Sequence, residues 1–493
     1  MEDNHEKQMK PIQFTAPIKG QPGPEWRDNE TIVRSHALKH HIYKQRYPLS
    51  VYNGQTESNH TPKDLKHYTG RYRLNPRQKP VKQTKRRSKK WQKEHAVDAN
   101  DNIRYDLPAM IGGRLDPFDS FAPNLNPTSD SLILYYHQVF SMNSPILNFP
   151  RDCFLRSTPD LAWFHSILYI VSADYDVKLG VSDSSLSLYH GGASFKFINT
   201  ELQEEVIRDS TISAVALVAS REGICGNFEM SKVHMEGLER IVKKRGGIQN
   251  IKGIHAQIAT WCDFCYSNIW NLQPRFSRLY AIPPENSVRE PDLTAAKSLA
   301  LGSIADISPE MACILRSLHY VSSSSVNATG CPSDLQKTSI QIYNIEYDLL
   351  MLNETQHSRK IQKLSNEAAA LKVAAHLYLY LLLRKLPSGS PVFSELITRL
   401  RNALDKCDEV SEDSQYYRLI WRLWILIIGY AAAAEREDKW KFVEGSQAIC
   451  KALHITRGAQ LNSSLRATVW LEPTCERWAK SLWADCLRAR RGA

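Results

Sequence analysis

Residues 34–93 cannot form the interior of a folded domain, because their charge is too one-sided. This window holds seventeen Lys and Arg side chains against only Glu57 and Asp64, a net charge of +15. The whole chain carries a formal net charge of only +11, so everything outside the window sums to −4. Burying an unpaired charge costs several kcal/mol. The sequence therefore predicts a solvated basic arm attached to a long, slightly acidic body.

The densest stretch of this arm, residues 82–93, predicts contact with a polyanion, with a nuclear import receptor, or with both. Its cations are the candidate import and nucleic-acid contacts: Lys82, Lys85, Arg86, Arg87, Lys89, Lys90 and Lys93. Flexible Lys and Arg side chains supply affinity for phosphate but no base recognition. Any DNA binding through the arm is therefore expected to be largely non-specific. A solvated tail that binds neither partner is the alternative.

The domain organisation follows from where apolar residues begin to recur. Residues 1–106 are rich in Lys, Gln, Asn, Pro and His without a sustained apolar period, so they are expected to form a disordered arm. One exception is 26–43, whose apolar spacing allows a short helix. Residues 107–493 are predicted to form a helical domain. A candidate internal boundary lies within 283–335, where Pro, Ser, Asn and Gly interrupt the apolar pattern.

Apolar residues spaced three and four apart predict an all-α, multi-helix fold. Thr158 is the expected cap of the second helix, with Pro159 in its first turn. The stretches 283–309 and 322–333 are expected to be irregular. The predicted helices cover approximately residues 130–147, 159–171, 184–199, 209–221, 231–245, 254–269, 334–352, 361–386, 392–407, 416–436, 439–452 and 472–490.

Neither secretion nor membrane insertion is expected. The N-terminus is polar and acidic, and no apolar segment of a signal peptide follows it. The two most apolar stretches, 373–383 and 423–434, are shorter than the roughly 20 residues that a membrane helix needs. The ten cysteines lack the regular spacing of a disulfide framework, so most are expected to be reduced and buried.

The sequence contains none of the common catalytic signatures. Motifs for a phosphate-binding loop, a dinucleotide turn, a nucleophile elbow and a zinc-protease helix are all missing. The single CxxC, Cys262 to Cys265, falls inside an apparent helix and is expected to pack in the core. The chain is therefore expected not to be an enzyme and to need no cofactor or metal. An active site assembled from distant residues is the alternative, because it leaves no linear motif.

One set of residues is specific enough to compare with a known family. His234, Gly237, Leu238, Arg245, Gly246, Gly247, Trp261 and Asp263 resemble the "H..GL..(I/V)V..RGG" helix and the following "W.D" of the fungal-specific transcription factor domain. Gly113, Arg114, Asp116, Pro117 and Phe118 are similar to the leading segment of that domain. Arg34-Ser35-His36 resembles the arm of a subgroup sometimes labelled the tachykinin family. These motifs cover roughly residues 25–275.

The resemblance implies a largely helical regulatory domain of a nuclear transcription factor, which acts with transcriptional co-regulators. In that family the domain usually follows an N-terminal six-cysteine zinc cluster that reads DNA. The first cysteine of this sequence is Cys153, so the sequence has no such N-terminal cluster. The resemblance therefore does not imply sequence-specific DNA recognition by this chain. The leading hypothesis is a fungal nuclear transcriptional regulator that recruits partners and contacts nucleic acid through its basic arm. The alternative is a helical interaction scaffold that does not bind DNA.

The motif residues also have a direct physical interpretation as packing residues. Gly237 is expected to let a neighbouring helix approach closely, and Gly246-Gly247 to reverse the chain after a helix. His234 is expected to be a satisfied histidine on a mostly apolar face. Arg245 is expected to hydrogen-bond the last carbonyls of its helix or a neighbouring carboxylate such as Asp263. No sustained heptad pattern indicates an oligomeric state, which is left open.

Overall fold

Helices make up nearly all of the chain that the structure describes, as the apolar spacing predicts. The computed structural model describes residues 129–136, 160–181, 183–280, 295–305, 307–326, 332–352, 354–355, 362–363, 365–407, 416–433 and 436–492. The basic arm, the expected helix at 26–43, the motif at 113–118 and residues 137–147 of the first predicted helix lie outside these ranges.

The described helices run in chain order as follows. The first six are α1 (Asp130–Tyr135), α2 (Leu161–Leu179), α3 (Ser185–Glu201), α4 (Asp209–Ile224), α5 (Phe228–Lys244) and α6 (Gly253–Trp270). Then come α7 (Ala295–Ala305), α8 (Pro309–Val326), α9 (Pro332–Met351), α10 (Asn366–Tyr378), α11 (Pro391–Leu404), α12 (Tyr416–Ala432), α13 (Lys439–Ala452), α14 (Gly458–Leu465) and α15 (Thr474–Gly492). The all-α prediction is confirmed.

Four short elements accompany the helices in the described ranges. A 3₁₀ turn, Ile248–Asn250, separates α5 from α6, and a π-helical turn, Leu379–Leu383, continues α10. Two strands of two residues each, Glu354–Thr355 and Gln362–Lys363, pair antiparallel. The prediction of a helix from residue 361 was therefore wrong at its start. Helix α10 begins only after Ser365, whose side chain caps it by accepting a hydrogen bond from the N–H of Ala368.

The predicted cap of the second helix was also wrong. Helix α2 begins at Leu161, and its cap is Asp160, not Thr158. The Asp160 carboxylate accepts a hydrogen bond from the N–H of Trp163 at 3.0 Å and a second one from the Ser210 hydroxyl. An aspartate is a stronger N-terminal cap than a threonine, because its carboxylate complements the positive end of the helix dipole.

The stretch expected to be irregular at 283–309 contains helix α7, so this prediction was wrong over Ala295–Ala305. Alanine has the highest intrinsic helix propensity, and a helix of small residues shows little apolar periodicity. The loop expected at 322–333 is shorter than predicted, because α8 continues to Val326 and α9 begins at Pro332. Helices α8 and α14 were not predicted from spacing.

Two hydrophobic cores share one helix. The first core is formed by α1 to α6 and the second by α6 to α15. Helix α6 is buried on nearly all sides: Cys262 and Tyr266 lie in the first core, whereas Trp261, Phe264 and Cys265 lie in the second. A helix that is apolar all round is suited to a position between two packed layers. The candidate boundary within 283–335 stays a prediction.

The end of α6 is held by a helix from the second core. Arg399 on α11 donates hydrogen bonds to the carbonyl oxygens of Asn268 and Ile269, at 2.7 and 2.8 Å. These carbonyls belong to the last turn, where the regular helical donors run out, and the Asn268 carbonyl also accepts a long hydrogen bond of 3.4 Å from the N–H of Asn271. None of the helices in the described ranges is both long enough and apolar enough to cross a bilayer.

Candidate functional site

The family-like motif lies on α5, the turn after it and α6, and most of its side chains face inward. His234, Gly237 and Leu238 are all buried on the inner face of α5. The imidazole of His234 stacks on the Phe195 ring from α3, with 5.7 Å between ring centroids. Because these positions are buried, they pack the helices together and do not form a solvent-facing binding surface.

The turn after α5 explains the two glycines of the motif. Gly246 and Gly247 have φ angles of +83° and +111°, which favour glycine. Their N–H groups donate to the carbonyls of Lys243 and Val242, both at 3.0 Å, and so satisfy the last turn of the helix. A side chain at Gly246 would also meet Asn250 at 2.7 Å. The turn therefore favours glycine for its backbone geometry, and a side chain at position 246 would also have to displace the flexible end of Asn250.

Arg245 pairs with a different carboxylate from the one expected. Its guanidinium donates to Asp209 Oδ1 at 2.5 Å, and Asp209 Oδ2 accepts from the N–H of Lys252 at 3.0 Å. Arg245 thus pairs with a neighbouring carboxylate, which was one of the two predicted alternatives, but that carboxylate is Asp209 and not Asp263, because Asp209 at the start of α4 lies beside the turn. The ion pair joins the beginning of α4 to the end of α5.

Asp263 instead holds the chain that follows α6. Its side chain is fully buried and accepts hydrogen bonds from the N–H groups of Arg275 and Phe276, at 2.6 and 3.0 Å. Burial raises the pKa of this carboxyl to about 6, although those donors and the Arg275 guanidinium oppose the rise. Asp263 is thus a structural residue of the turn, and so is its neighbour Trp261, which is buried in the second core.

A buried charge network lies where α6, α9 and the π-helical turn meet. Glu346 on α9 is completely buried and accepts hydrogen bonds from Arg384 at 2.7 Å and from the Tyr380 hydroxyl at 3.0 Å. The Arg384 guanidinium also lies 5.5 Å from the ring of Trp261. Burial raises the pKa of Glu346, while Arg384 and Tyr380 oppose this shift. The network links elements far apart in sequence, which is why no linear motif predicted it.

A pair of buried histidines lies in the first core. The Nδ1 atoms of His165 and His190 are 2.9 Å apart, and Ser129 Oγ lies 3.0 Å from His190 Nε2. Burial lowers the pKa of His165 to about 4 and that of His190 to about 3. Both imidazoles are therefore neutral near pH 7, which suits a polar contact between packed helices.

The two cysteines of the CxxC face different cores. Burial raises the pKa of Cys262 to about 12 and that of Cys265 to about 11, so both thiols stay protonated at neutral pH. The hydroxyl of Ser220 donates to Cys262 Sγ at 2.9 Å. Among the described residues, no three His, Cys, Asp or Glu side chains are grouped so that they could hold a metal ion.

A groove lies between α11, α12 and α13, and we call it the α11–α13 groove. Its volume is about 430 Å³, within the range of pockets that bind ligands in proteins. Ten residues line it: Arg401, Leu404, Asp405, Arg422, Leu426, Lys441, Phe442, Gly445, Ala448 and Ile449. This lining contains no serine, cysteine, histidine or tyrosine, the side chains that most often carry nucleophilic or acid–base chemistry.

The groove exists because α12 and α13 approach closely below it. A side chain on Gly429 would lie 2.3 Å from the Phe442 ring, and one on Gly445 would lie 3.0 Å from Leu426. With glycine at both positions, the floor is apolar and tightly packed. Ala448, at the solvent edge, leaves the groove open.

Charged side chains form the rim of the groove. Lys441 is exposed and Arg422 is half-buried, while Asp405 is exposed on the opposite helix. Arg401 forms an ion pair with Asp438, so its charge is largely balanced. The described rim therefore carries charges of both signs. The sequence did not indicate this arrangement, because its three helices come from separate stretches of residues 391–452.

A comparison with models of known protein families shows which family this chain belongs to. The family model described as "Fungal specific transcription factor domain" matches residues 132–461, which is more than half of the sequence. The chain belongs to the fungal specific transcription factor domain family. No curated protein and no solved structure matches it.

Membership in this family extends the resemblance seen in the motif residues to most of the helical body. The matched region includes the turn after α5 and every residue that lines the α11–α13 groove. Membership suggests transcription regulation by a non-enzymatic protein and implies a nuclear location. The short motif around α5 was therefore a sound signal of the family, although its residues are structural.

Proposed function

We propose that this fungal transcription factor domain protein regulates transcription in the nucleus by recruiting partner proteins to its helical body. The observation that carries the proposal is the family match across residues 132–461. The α11–α13 groove supports it, because an apolar floor with a charged rim is typical of protein recognition sites. In this mechanism the protein acts by binding, and the groove is the docking surface.

The basic arm has a separate role in the proposal. Its cations bind an import receptor and contact nucleic-acid phosphates, which raises the local concentration of the chain on chromatin. Because such contacts are electrostatic, the arm contributes affinity that weakens steeply with salt. Selection of target genes then depends on the partners that the helical body recruits.

Rapid depletion of the chain in the fungus that encodes it tests the proposal. Nascent RNA is labelled and sequenced within minutes of depletion, before indirect effects accumulate. We expect a defined set of transcripts to change in synthesis rate, and full-length chain supplied from a plasmid to restore them. Unchanged nascent transcription after complete depletion would contradict a regulatory role and favour a scaffold outside transcription.

A further inference from the structure

We infer that the buried pair of His165 and His190 is a pH-sensitive switch of the first core. The pair holds α1, α2 and α3 together while both imidazoles are neutral, and it releases them when both imidazoles are protonated. The inference concerns the stability of the helical body and does not depend on the proposed recruitment function.

The pair lies where three helices meet. His165 is on the second turn of α2, His190 is on the second turn of α3, and Ser129 immediately precedes α1. The two Nδ1 atoms are 2.9 Å apart, and Ser129 Oγ is 3.0 Å from His190 Nε2. His190 is 0% exposed and His165 is 6% exposed. These contacts therefore join the beginning of α1 to α2 and α3 in a region that is almost closed to water.

The contact between the two Nδ1 atoms accommodates a single proton. A neutral imidazole has one N–H donor and one acceptor nitrogen, so one Nδ1 donates and the other accepts. One additional proton on the donor ring keeps this hydrogen bond but places a positive charge in the core. A second additional proton would put N–H groups on both Nδ1 atoms, and two donors cannot face each other at 2.9 Å. Full protonation therefore forces the two imidazoles apart.

Aromatic rings surround the pair and disfavour a charge there. The Phe197 ring stacks on His165 with 5.6 Å between centroids, and the rings of Phe164 and Tyr189 lie edge-on to it at 5.4 and 5.9 Å. Burial lowers the pKa of His165 to about 4. Burial and the neighbouring charge of His165 lower the pKa of His190 to about 3.

The charged and titratable groups on the adjoining helices interact with one another. Their contacts join Tyr135 to Asp174 and Lys178, Tyr169 to Glu222, Arg221 to Asp183 and Glu222, and Arg208 to Asp160 and Glu201. Lys196 is exposed and lies 5.7 Å from the centroid of the Phe197 ring. Among the described residues, no carboxylate counters the lowering of either histidine pKa.

Protonation of the pair therefore favours the unfolded chain. An unfolded histidine is protonated near pH 6.5, whereas the pair in the folded chain is protonated only near pH 4 and pH 3. The stabilisation is complete above about pH 6.5 and decreases as the pH falls toward 4. Between pH 7 and pH 5 this linkage raises the unfolding equilibrium constant about 20-fold for each histidine. The first core then opens in response to acidification.

Hydrogen exchange of the purified full chain tests the inference. Mass spectrometry of peptides from α2 and α3 gives their opening equilibrium at pH 7 and pH 5, after correction for the intrinsic exchange rate. The test variant is the double substitution His165→Phe and His190→Gln, which removes both titrating groups. The control is His454→Asn, because His454 is exposed and has a φ angle of +54°, which asparagine tolerates.

We expect the opening equilibrium constant of the wild type to rise with acidification roughly 100-fold more than that of the double variant. The control should follow the wild type within about threefold, because an exposed histidine titrates alike in the folded and unfolded chains. The same pH dependence in the wild type and the double variant would overturn the inference.

A second measurement uses only the wild-type chain and decides the matter when the double variant does not fold. Deuterium exchange of the imidazole C2 hydrogen, followed by mass spectrometry at a series of pH values, reports the protonation of each histidine separately. We expect the transitions of His165 and His190 to lie at least about one pH unit below that of His454. Transitions of the pair at the pH of the His454 transition would show that the folded chain accepts both protons, and the inference would be wrong.

Discussion

At the scale of single residues, glycine determines how closely α12 and α13 approach. Gly429 faces the ring of Phe442, which is buried, and a side chain at Gly429 would lie 2.3 Å from that ring. Phe442 and most of α12 belong to the second core, so a shift of the ring or of the helix disturbs packed neighbours. Substitution at this glycine must therefore displace core atoms.

The first prediction follows from that contact. Gly429→Ala is expected to lower the free energy of unfolding by about 1–3 kcal/mol, because overpacking outweighs the higher helix propensity of alanine. Gly192→Ala on α3 is the control: no atom lies within 4 Å of the added methyl group, so it should keep or raise stability by up to about 1 kcal/mol. Urea denaturation measures both. Equal stabilities for the two variants would contradict the close approach of α12 and α13.

The buried carboxyl of Asp263 leads to a second residue-scale prediction. Its pKa in the folded chain is about 6, above the value of about 4 in an unfolded chain. The folded state therefore holds this proton more tightly, and protonation stabilises the fold as the pH falls from 7 to 5. Asn cannot bind that proton.

Asp263→Asn should remove this pH dependence. The stability of the variant relative to the wild type is expected to decrease by about 1 kcal/mol between pH 7 and pH 5. Urea midpoints of both chains at the two pH values measure the difference, and contributions from all other groups cancel. A constant difference would show that the pKa of Asp263 is the same in the folded and unfolded chains.

The sequence was only partly informative at the residue scale. The glycines of the turn after α5 could be predicted, because their role depends on neighbouring backbone alone. The partner of Arg245 could not, because Asp209 is distant in sequence and its proximity depends on how α4 packs against α5. Side-chain pairs of this kind are decided by tertiary packing and not by local spacing.

At the scale of elements, the pair of Glu346 and Arg384 joins α9 to the π-helical turn. Both side chains are buried, at 0% and 8% exposed, so each charge depends on the other for compensation. Removing one member of such a pair leaves an uncompensated charge in the core, whereas apolar replacement of both removes the desolvation cost as well.

A double-mutant cycle tests this link. Arg384→Met is expected to destabilise the chain by about 3–5 kcal/mol, and addition of Glu346→Leu should recover at least half of that loss. Chemical denaturation of the wild type, both single variants and the double variant gives the coupling free energy. Additive effects of the two substitutions would mean that the charges do not interact.

Helices were the elements best predicted from the sequence. Helix α13 spans Lys439–Ala452 as expected, because its buried apolar residues recur at helical spacing. Helix α7 was not predicted, since Ala-rich sequence forms a helix without strong periodicity. The π-helical turn was not predicted either, because its hydrogen-bond pattern leaves no signature in the residue spacing.

At the scale of the whole molecule, charge is divided unequally along the chain. The window 34–93 holds a net charge of +15, and the remainder of the sequence is slightly acidic. This division could be predicted from sequence alone, because charge is a sum over residues. The α11–α13 groove could not, because it depends on the relative placement of three helices.

The basic arm gives the prediction at this scale. Substitution of Lys85, Arg86, Arg87, Lys89 and Lys90 by Gln is expected to lower the nuclear-to-cytoplasmic ratio of a fluorescently tagged full chain several-fold, because import receptors recognise clustered cations. Quantitative imaging measures the ratio. The control replaces an equal number of dispersed cations in the same arm by Gln: Lys63, Lys66, Arg71, Arg73 and Arg77. An unchanged ratio for the clustered variant, or an equal loss for both, would contradict a specific import signal.

The central claim is that this fungal transcription factor domain protein regulates transcription by recruitment. The most direct measurement is transcription of a reporter gene to which the full chain is tethered through a fused DNA-binding domain of known specificity. Tethering supplies the DNA contact, so the output depends only on what the chain recruits. We predict a change in reporter RNA relative to the DNA-binding domain alone. Equal reporter RNA with and without the chain, at matched protein levels, would contradict the claim.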